Sequence, residues 1–298
     1  MVTSTTPPDE YRAACVQFDV RPGDVATNVA AMRTGVEEAV AGGAQLCVLP
    51  ELWPTSFVAN PDEALLHASA AAEEDLRELT ASHGLVAIGS ALEAADGKFF
   101  NTAVVFERGE VRAKYRKIHL FSPNLEHRLH AWGHDPCIAE TSLGRIGILI
   151  CYDLRFPELA RYYFRKGAEL LAVPGQWPEA RALHWRTLLR ARAIENEMFV
   201  IGCNRTGQEP SQRNGEAMAF PGDGRIVDPT GEVLASGSGE AGAVIATIEL
   251  RNVRTMRRIL PLHRDQRPSV YRRLFDETYS LMVTASREGK DPADSPDE

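Results

Sequence analysis

A cysteine, a glutamate and a lysine, each beside an apolar run, carry the strongest chemical signal in this sequence. Residues 146–150, Ile-Gly-Ile-Leu-Ile, lead straight into Cys151 and then Tyr152-Asp153-Leu154-Arg155, with a helical pattern opening near Pro157. A thiol at such a strand end is held from below and open above, and N–H groups of the turn can face a developing oxyanion. Taken alone, Cys151 also reads as a small core hydrophobe, which is what most free cysteines are. Glu51 closes the run LCVLPEL behind Pro50; in isolation it is a turn acid or a helix-start residue favoured by the dipole. Lys117 lies in KYRKIHLF, residues 114–121, where basic and apolar residues alternate. In isolation that pattern is an edge strand with a basic outer face. Each bland reading is the default for its residue alone; the combination of the three is what points to chemistry.

The remaining candidates carry less. Cys15, Cys47 and Cys203 fall within or at the end of strand patterns, and Cys137 follows a proline in a loop. All four read as structural. His127, His130 and His134 accompany Glu126 within a short stretch, and on one helix the three histidines would share a face. Gly133 interrupts that run and no H-E-x-x-H order is present, so the expectation is a solvated loop shaping a pocket, with no metal.

These groups need a scaffold. Short apolar strands are expected at 13–18, 46–49, 85–89, 102–106, 146–150, 170–173, 199–203 and 244–248, alternating with helices at 28–40, 64–82, 157–166 and 180–197. In the last helix Leu188, Ala191, Ile194 and Met198 form the expected buried stripe. Pro157 and Gly167 suit a helix start and stop. Asp96-Gly97 and Gly222-Asp223-Gly224 read as hairpin turns. The fold class is mixed α/β, a single domain over 10–271, flanked by a flexible N-terminus at 1–9 and a C-terminal arm at 272–298 with a disordered acidic tail.

Composition narrows the function. With 298 residues, 44% of them hydrophobic, a large core is available. The net charge of −8 argues against nucleic acid as the main partner, because duplex binding needs a clustered positive field. No apolar run approaches the roughly 18 residues that would span a bilayer. The first ten residues lack the basic start and apolar stretch of a secretion signal. Five cysteines without a C-x-x-C pair suit free thiols in a reducing compartment, so a cytoplasmic protein is expected.

The motifs LPELW, YRKIHLF and CYDLRFPE, in that order and spacing, resemble those of the carbon–nitrogen hydrolase (nitrilase) superfamily. The resemblance continues through FNTAVVF, GAELLAVP, ARAIENEMFVIGCNR and GDGRIVDPTGEVLASG, from Tyr11 to about Tyr271. It implies a four-layer α-β-β-α sandwich, two of which stack as α-β-β-α-α-β-β-α in a homodimer. It also implies a Glu51–Lys117–Cys151 triad, a second glutamate for which Glu126 is the best match, and no cofactor. CYDLRFPE, with PGQWPEARALHW, resembles the ω-amidase and deaminated-glutathione amidase branch. That branch implies ammonia release through a thioester from the terminal amide of a small carboxylate-bearing molecule such as 2-oxoglutaramate or 2-oxosuccinamate. A larger amide such as deaminated glutathione is the alternative, and a silent or redox-sensing thiol protein on the same fold is the third reading. Lys117 and the N–H of Tyr152 would stabilise the oxyanion, and Glu126 would orient Lys117 or the water. The substrate carboxylate needs a cationic partner. Arg155 is the candidate, against a structural pairing with Glu158 or Asp153. Phe57 and Trp177 are candidate pocket walls.

Overall fold

The computed structural model describes residues 6–287, with side chains through residue 277. The expected loose ends at 1–9 and in the acidic tail fall partly outside these residues, at 1–5 and 288–298. The strands in chain order are β1 (Glu10–Gln17), β2 (Ala44–Val48), β3 (Val86–Ala95), β4 (Lys98–Glu107) and β5 (Glu110–Arg116). Then follow β6 (Ile138–Thr141), β7 (Gly144–Ile148), β8 (Leu170–Gly175), β9 (Phe199–Asn204) and β10 (Thr206–Pro210). The last four are β11 (Ala217–Pro221), β12 (Arg225–Val227), β13 (Val233–Ser236) and β14 (Gly242–Glu249). They build one six-stranded sheet of order β14-β1-β2-β3-β4-β5, a second of order β13-β12-β9-β8-β7-β6, and a β10-β11 ribbon. The helices are α1 (Val25–Ala41), α2 (Glu63–His83), the single turn α3 (Glu126–Leu129), α4 (Pro157–Arg165), α5 (Ala182–Asn196), α6 (Leu250–Ile259), α7 (Leu262–Asp265) and α8 (Pro268–Arg287).

The architecture is an α-β-β-α sandwich, and the strand pattern explains it. Along β1 the side chains alternate: Ala14 and Val16 join Met32, Val36 and Leu76 in the core beneath α1 and α2. Cys15 points the other way, and its thiol donates to the Gly202 carbonyl of the second sheet at 3.4 Å. Cys203 returns the contact, donating to the Val16 carbonyl at 3.3 Å. Both faces of the central strands are therefore covered, which is why they read as continuous apolar runs. On the outer face of the second sheet, Gly147 and Gly202 let helices press onto strand backbone. A Cβ on Gly147 would meet Tyr163 of α4 at 2.7 Å, and one on Gly202 would meet Leu189 of α5 at 2.7 Å.

Helix ends follow local chemistry. Asp24 and Asp62 cap α1 and α2 by accepting from the Thr27 and Leu65 N–H groups, and Gly84 ends α2 at φ 67°. Pro157 opens α4 as expected. Two readings need correction. The buried face of α5 is Trp185, Leu189, Arg192, Ala193 and Asn196, while Ile194 is 49% exposed. The row that packs is the i, i+4 series beginning at Trp185, because that ring fits over the glycines of β8 and β9. Asp96-Gly97 is a hairpin, with both residues at positive φ. Gly222-Asp223-Gly224 is not: it carries the chain from β11 in the ribbon to β12 in the second sheet.

Residues up to Met256 form one compact unit holding every described strand, and the described residues from Arg257 on belong to a second that carries α7 and α8. No helix among the described residues is long and apolar enough to cross a membrane.

Candidate active site

Four loops at strand ends bring the site together. Beyond β2, Glu51 enters a turn whose N–H donates to the Gly175 carbonyl of β8 at 3.4 Å, so its loop is tied to the opposite sheet. Lys117 leaves β5 with its N–H on the Asn101 carbonyl at 2.9 Å, and its own carbonyl accepts from Gly133 at 2.8 Å. Gly133 lies against the Arg116 carbonyl, where no Cβ fits. Cys151 follows β7 at φ 45°, a left-handed conformation that costs a non-glycine residue about 1–2 kcal/mol. Asp153, fully buried, pins that turn. It accepts from the Ile150 N–H at 3.0 Å, the Tyr115 hydroxyl at 2.7 Å and the His119 N–H at 2.9 Å. Glu126 opens α3 and accepts from the Phe121 N–H at 2.6 Å.

The side chains converge. Lys117 Nζ donates to Glu51 Oε1 at 2.7 Å and to both oxygens of Glu126 at 2.9 and 2.7 Å. Asn101 Nδ2 bridges the same carboxylates, at 2.8 Å from Glu51 and 3.2 Å from Glu126. Glu51 Oε2 accepts from the Gln176 N–H at 3.0 Å, and the Cys151 thiol faces the Gln176 carbonyl at 3.7 Å. Glu51, Lys117 and Glu126 are at most 1% exposed, and Cys151 is 7% exposed.

Burial sets the charge states. It raises the Glu51 carboxyl above the ordinary range, opposed by the Lys117 ammonium and reinforced by Glu126. Burial also pushes the Cys151 thiol well up, and the Glu51 charge adds to that. For Lys117 burial works against the ammonium, but Glu126 and Glu51 outweigh it and raise its pKa. A buried ammonium thus lies beside a carboxyl and a thiol that both hold their protons more tightly than in water. Proton exchange between those last two is the chemistry the geometry allows.

These groups open on a cavity of about 330 Å³, walled by Phe57, Phe121, Met218 and Phe220 among others. Phe57 is one of the residues lining the cavity, whereas Tyr152, Arg155 and Trp177 stand outside its lining. Trp177 is buried beneath it, its N–H on Asn204 at 2.6 Å and its indole N–H on the Arg181 carbonyl at 2.8 Å. Tyr152 packs edge-on against Phe121, a wall residue, with ring centroids 5.0 Å apart. Arg155 lies 4.7 Å over the Trp177 ring and forms no ion pair among the described residues; Asp153 is committed to Tyr115 and His119. The histidines do not share a helical face, because α3 ends at Leu129. His130 packs against Phe57 with its pKa lowered by burial to about 4. Among the described residues no cluster is arranged to hold a metal ion.

Asn101, Gln176, Arg205 and Glu209 were not singled out from sequence. Asn101 is a polar residue inside an apolar strand pattern, a signal that could have marked it. Gln176 directly follows the apolar run of β8, the same signature that marked Glu51 and Cys151.

The family model of carbon–nitrogen hydrolases matches residues 12–258. A 2-oxoglutaramate amidase of Bacillus subtilis is 35% identical over 88% of this chain and 100% of its own length. The chloroplastic omega-amidase of Arabidopsis thaliana is 35% identical over 83% of this chain and 70% of its own. Among solved structures, a carbon–nitrogen hydrolase from Helicobacter pylori G27 superposes with a TM-score of 0.82 at 29% identity, covering 89% of this chain and 98% of that one.

Proposed function

The chain belongs to the carbon–nitrogen hydrolase family, and from that premise we propose that it is a cysteine-dependent ω-amidase. Its substrate is a short 2-oxo acid amide such as 2-oxoglutaramate or 2-oxosuccinamate, and its products are ammonia and the free acid. One observation carries this reading: Glu51, Lys117 and Cys151 line one cavity. The relatives named as a 2-oxoglutaramate amidase and an omega-amidase support a short amide over deaminated glutathione.

In the proposed cycle Glu51 takes the Cys151 proton as the sulfur attacks the amide carbon. The oxyanion forms against the Lys117 ammonium and the N–H of Tyr152, where removal of one donor typically costs about 3 kcal/mol. Glu51 returns its proton to the nitrogen, the C–N bond breaks and ammonia leaves a thioester. Glu51 then draws a proton from water, which attacks the thioester, and as the C–S bond breaks Glu51 gives that proton to the sulfur, regenerating the thiol and its own carboxylate. Glu126 holds Lys117 by both oxygens throughout. Arg155 at the mouth receives the substrate carboxylate, and Tyr152 and Trp177 carry that arginine on their faces.

The proposed catalytic domain is residues 10–271. The proposed assembly is a cytoplasmic homodimer with stacked sandwiches; exposed Tyr162 on α4 and Leu183 and Ile194 on α5 offer it an apolar outer face. Ammonia release measured across 2-oxoglutaramate, 2-oxosuccinamate, deaminated glutathione, N-carbamoyl compounds and nitriles tests the reading. The two short 2-oxo acid amides should give the highest kcat/KM. A higher value for deaminated glutathione, or no release from any amide, overturns it.

A further inference from the structure

Gln176 touches both reacting partners and is anchored on its far side by a buried cation. Its N–H reaches Glu51 Oε2 at 3.0 Å, its side-chain Nε2 donates to the Glu51 main-chain carbonyl at 2.8 Å, and its own carbonyl accepts from the Cys151 thiol at 3.7 Å. The remaining atom, Oε1, accepts from Arg205 Nη1 at 3.1 Å. Arg205 is fully buried, and its charge is balanced by Glu209 at 2.6 Å and Asp19 at 2.9 Å. A buried guanidinium bound this way has one orientation, because any other leaves charges unpaired away from water. Gln176 inherits that orientation through Oε1.

The consequence lies at the carboxylate. Glu51 Oε1 is already taken by Lys117 and Asn101, whereas Oε2 accepts from the Gln176 N–H, and the Cys151 thiol hydrogen-bonds to this same carboxylate. Oε2 is thus the oxygen with capacity left for the thiol proton, and Gln176 fixes where it points. We infer that Gln176, locked by Arg205, is a positioning residue that aligns Glu51 Oε2 with the Cys151 sulfur. The inference rests on Glu51 as the base.

Gln176→Met tests it, keeping the main-chain N–H and the chain length while removing both side-chain bonds. Misalignment of this kind costs about 100-fold, so kcat should fall by that order while KM stays within about threefold. Iodoacetamide labelling of Cys151 at neutral pH should slow in parallel. Arg205→Lys keeps the charge that Glu209 and Asp19 require but not the forked contact, and should lower kcat about tenfold. Melting curves establish that each variant folds; if Gln176→Met does not, the Arg205→Lys measurement decides. Wild-type kcat in the folded variants, or a loss confined to KM, overturns the inference. Glu51→Gln separates the two levels: if it stays active the base assignment fails, whereas if it is inactive and the other variants are not, only the positioning role fails.

Discussion

The floor of the cavity and its mouth are built on opposite principles. On the floor, Lys117, Glu51 and Glu126 are buried and locked to one another by charge-assisted bonds of 2.7–2.9 Å. At the proposed mouth, Arg155 and Arg181 are half-buried and rest on aromatic faces, Arg155 on Trp177 and Arg181 on Phe121, without ion pairs among the described residues. The floor carries its counter-charges with it, so it exists before any substrate arrives. The mouth presents cations whose partner must come from outside. Preorganisation is concentrated where bonds change, and unspent charge where the ligand is read.

The comparison can be broken at four points, in decreasing size of effect. Cys151→Ala should lower kcat by about 10⁴-fold or more while the melting temperature holds, since nucleophile removal has that scale. Full activity in that variant would falsify the floor as the reacting centre. Glu126→Gln should lower kcat about 100-fold by loosening Lys117. It should also displace the acid limb of the pH–rate profile. Glu51 must be ionised to act, so activity falls as pH drops through its raised pKa. Glu126 is one cause of that rise, so its neutralisation moves the limb to lower pH. An unmoved limb would show that the two carboxylates do not communicate.

The mouth is probed by Arg155→Met, expected to raise KM about tenfold for a carboxylate-bearing amide and to leave a neutral amide unaffected. Equal changes for both would make the arginine a packing residue. The smallest effect concerns stability. His130 sits behind the floor with its pKa lowered from 6.5 to about 4. The unfolded chain therefore binds a proton that the folded one refuses, and stability present above pH 6.5 is lost as pH falls toward 4, by up to about 3 kcal/mol. Chemical denaturation of wild type and His130→Gln across that window should show a flatter pH dependence in the variant; parallel curves would assign the titration elsewhere.

Glu51 and Cys151 were legible in the sequence because each comes just after an apolar run, a pattern that survives without any knowledge of the fold. Strands β2 and β7 end at Val48 and Ile148, and three residues on stand the carboxylate and the thiol. Lys117 lies in an alternating basic and apolar pattern, and Glu126 was reached only through the family resemblance. The mouth was not legible. Trp177 and Arg155 flank the reacting residues in sequence, yet which of them reaches the cavity depends on how two loops pack, and no local spacing encodes that. The turn at Gly222–Gly224 shows the same limit: glycines announced a reversal, but not that its two strands belong to different sheets. On α5, Leu188 and Ile194 made as good a stripe as Trp185 and Leu189. The glycines of β8 and β9 decided between them. Gln176 and Arg205 acquire their meaning only in three dimensions, from partners as far as 186 residues away along the chain.

The left-handed backbone at Cys151 places two selective pressures in opposition at one residue. Glycine would relax that turn at once, and no reaction would follow. Stabilising this protein by relieving backbone strain is therefore a route open at its loops and closed at its nucleophile, and a screen for heat tolerance alone would favour the removal of the sulfur.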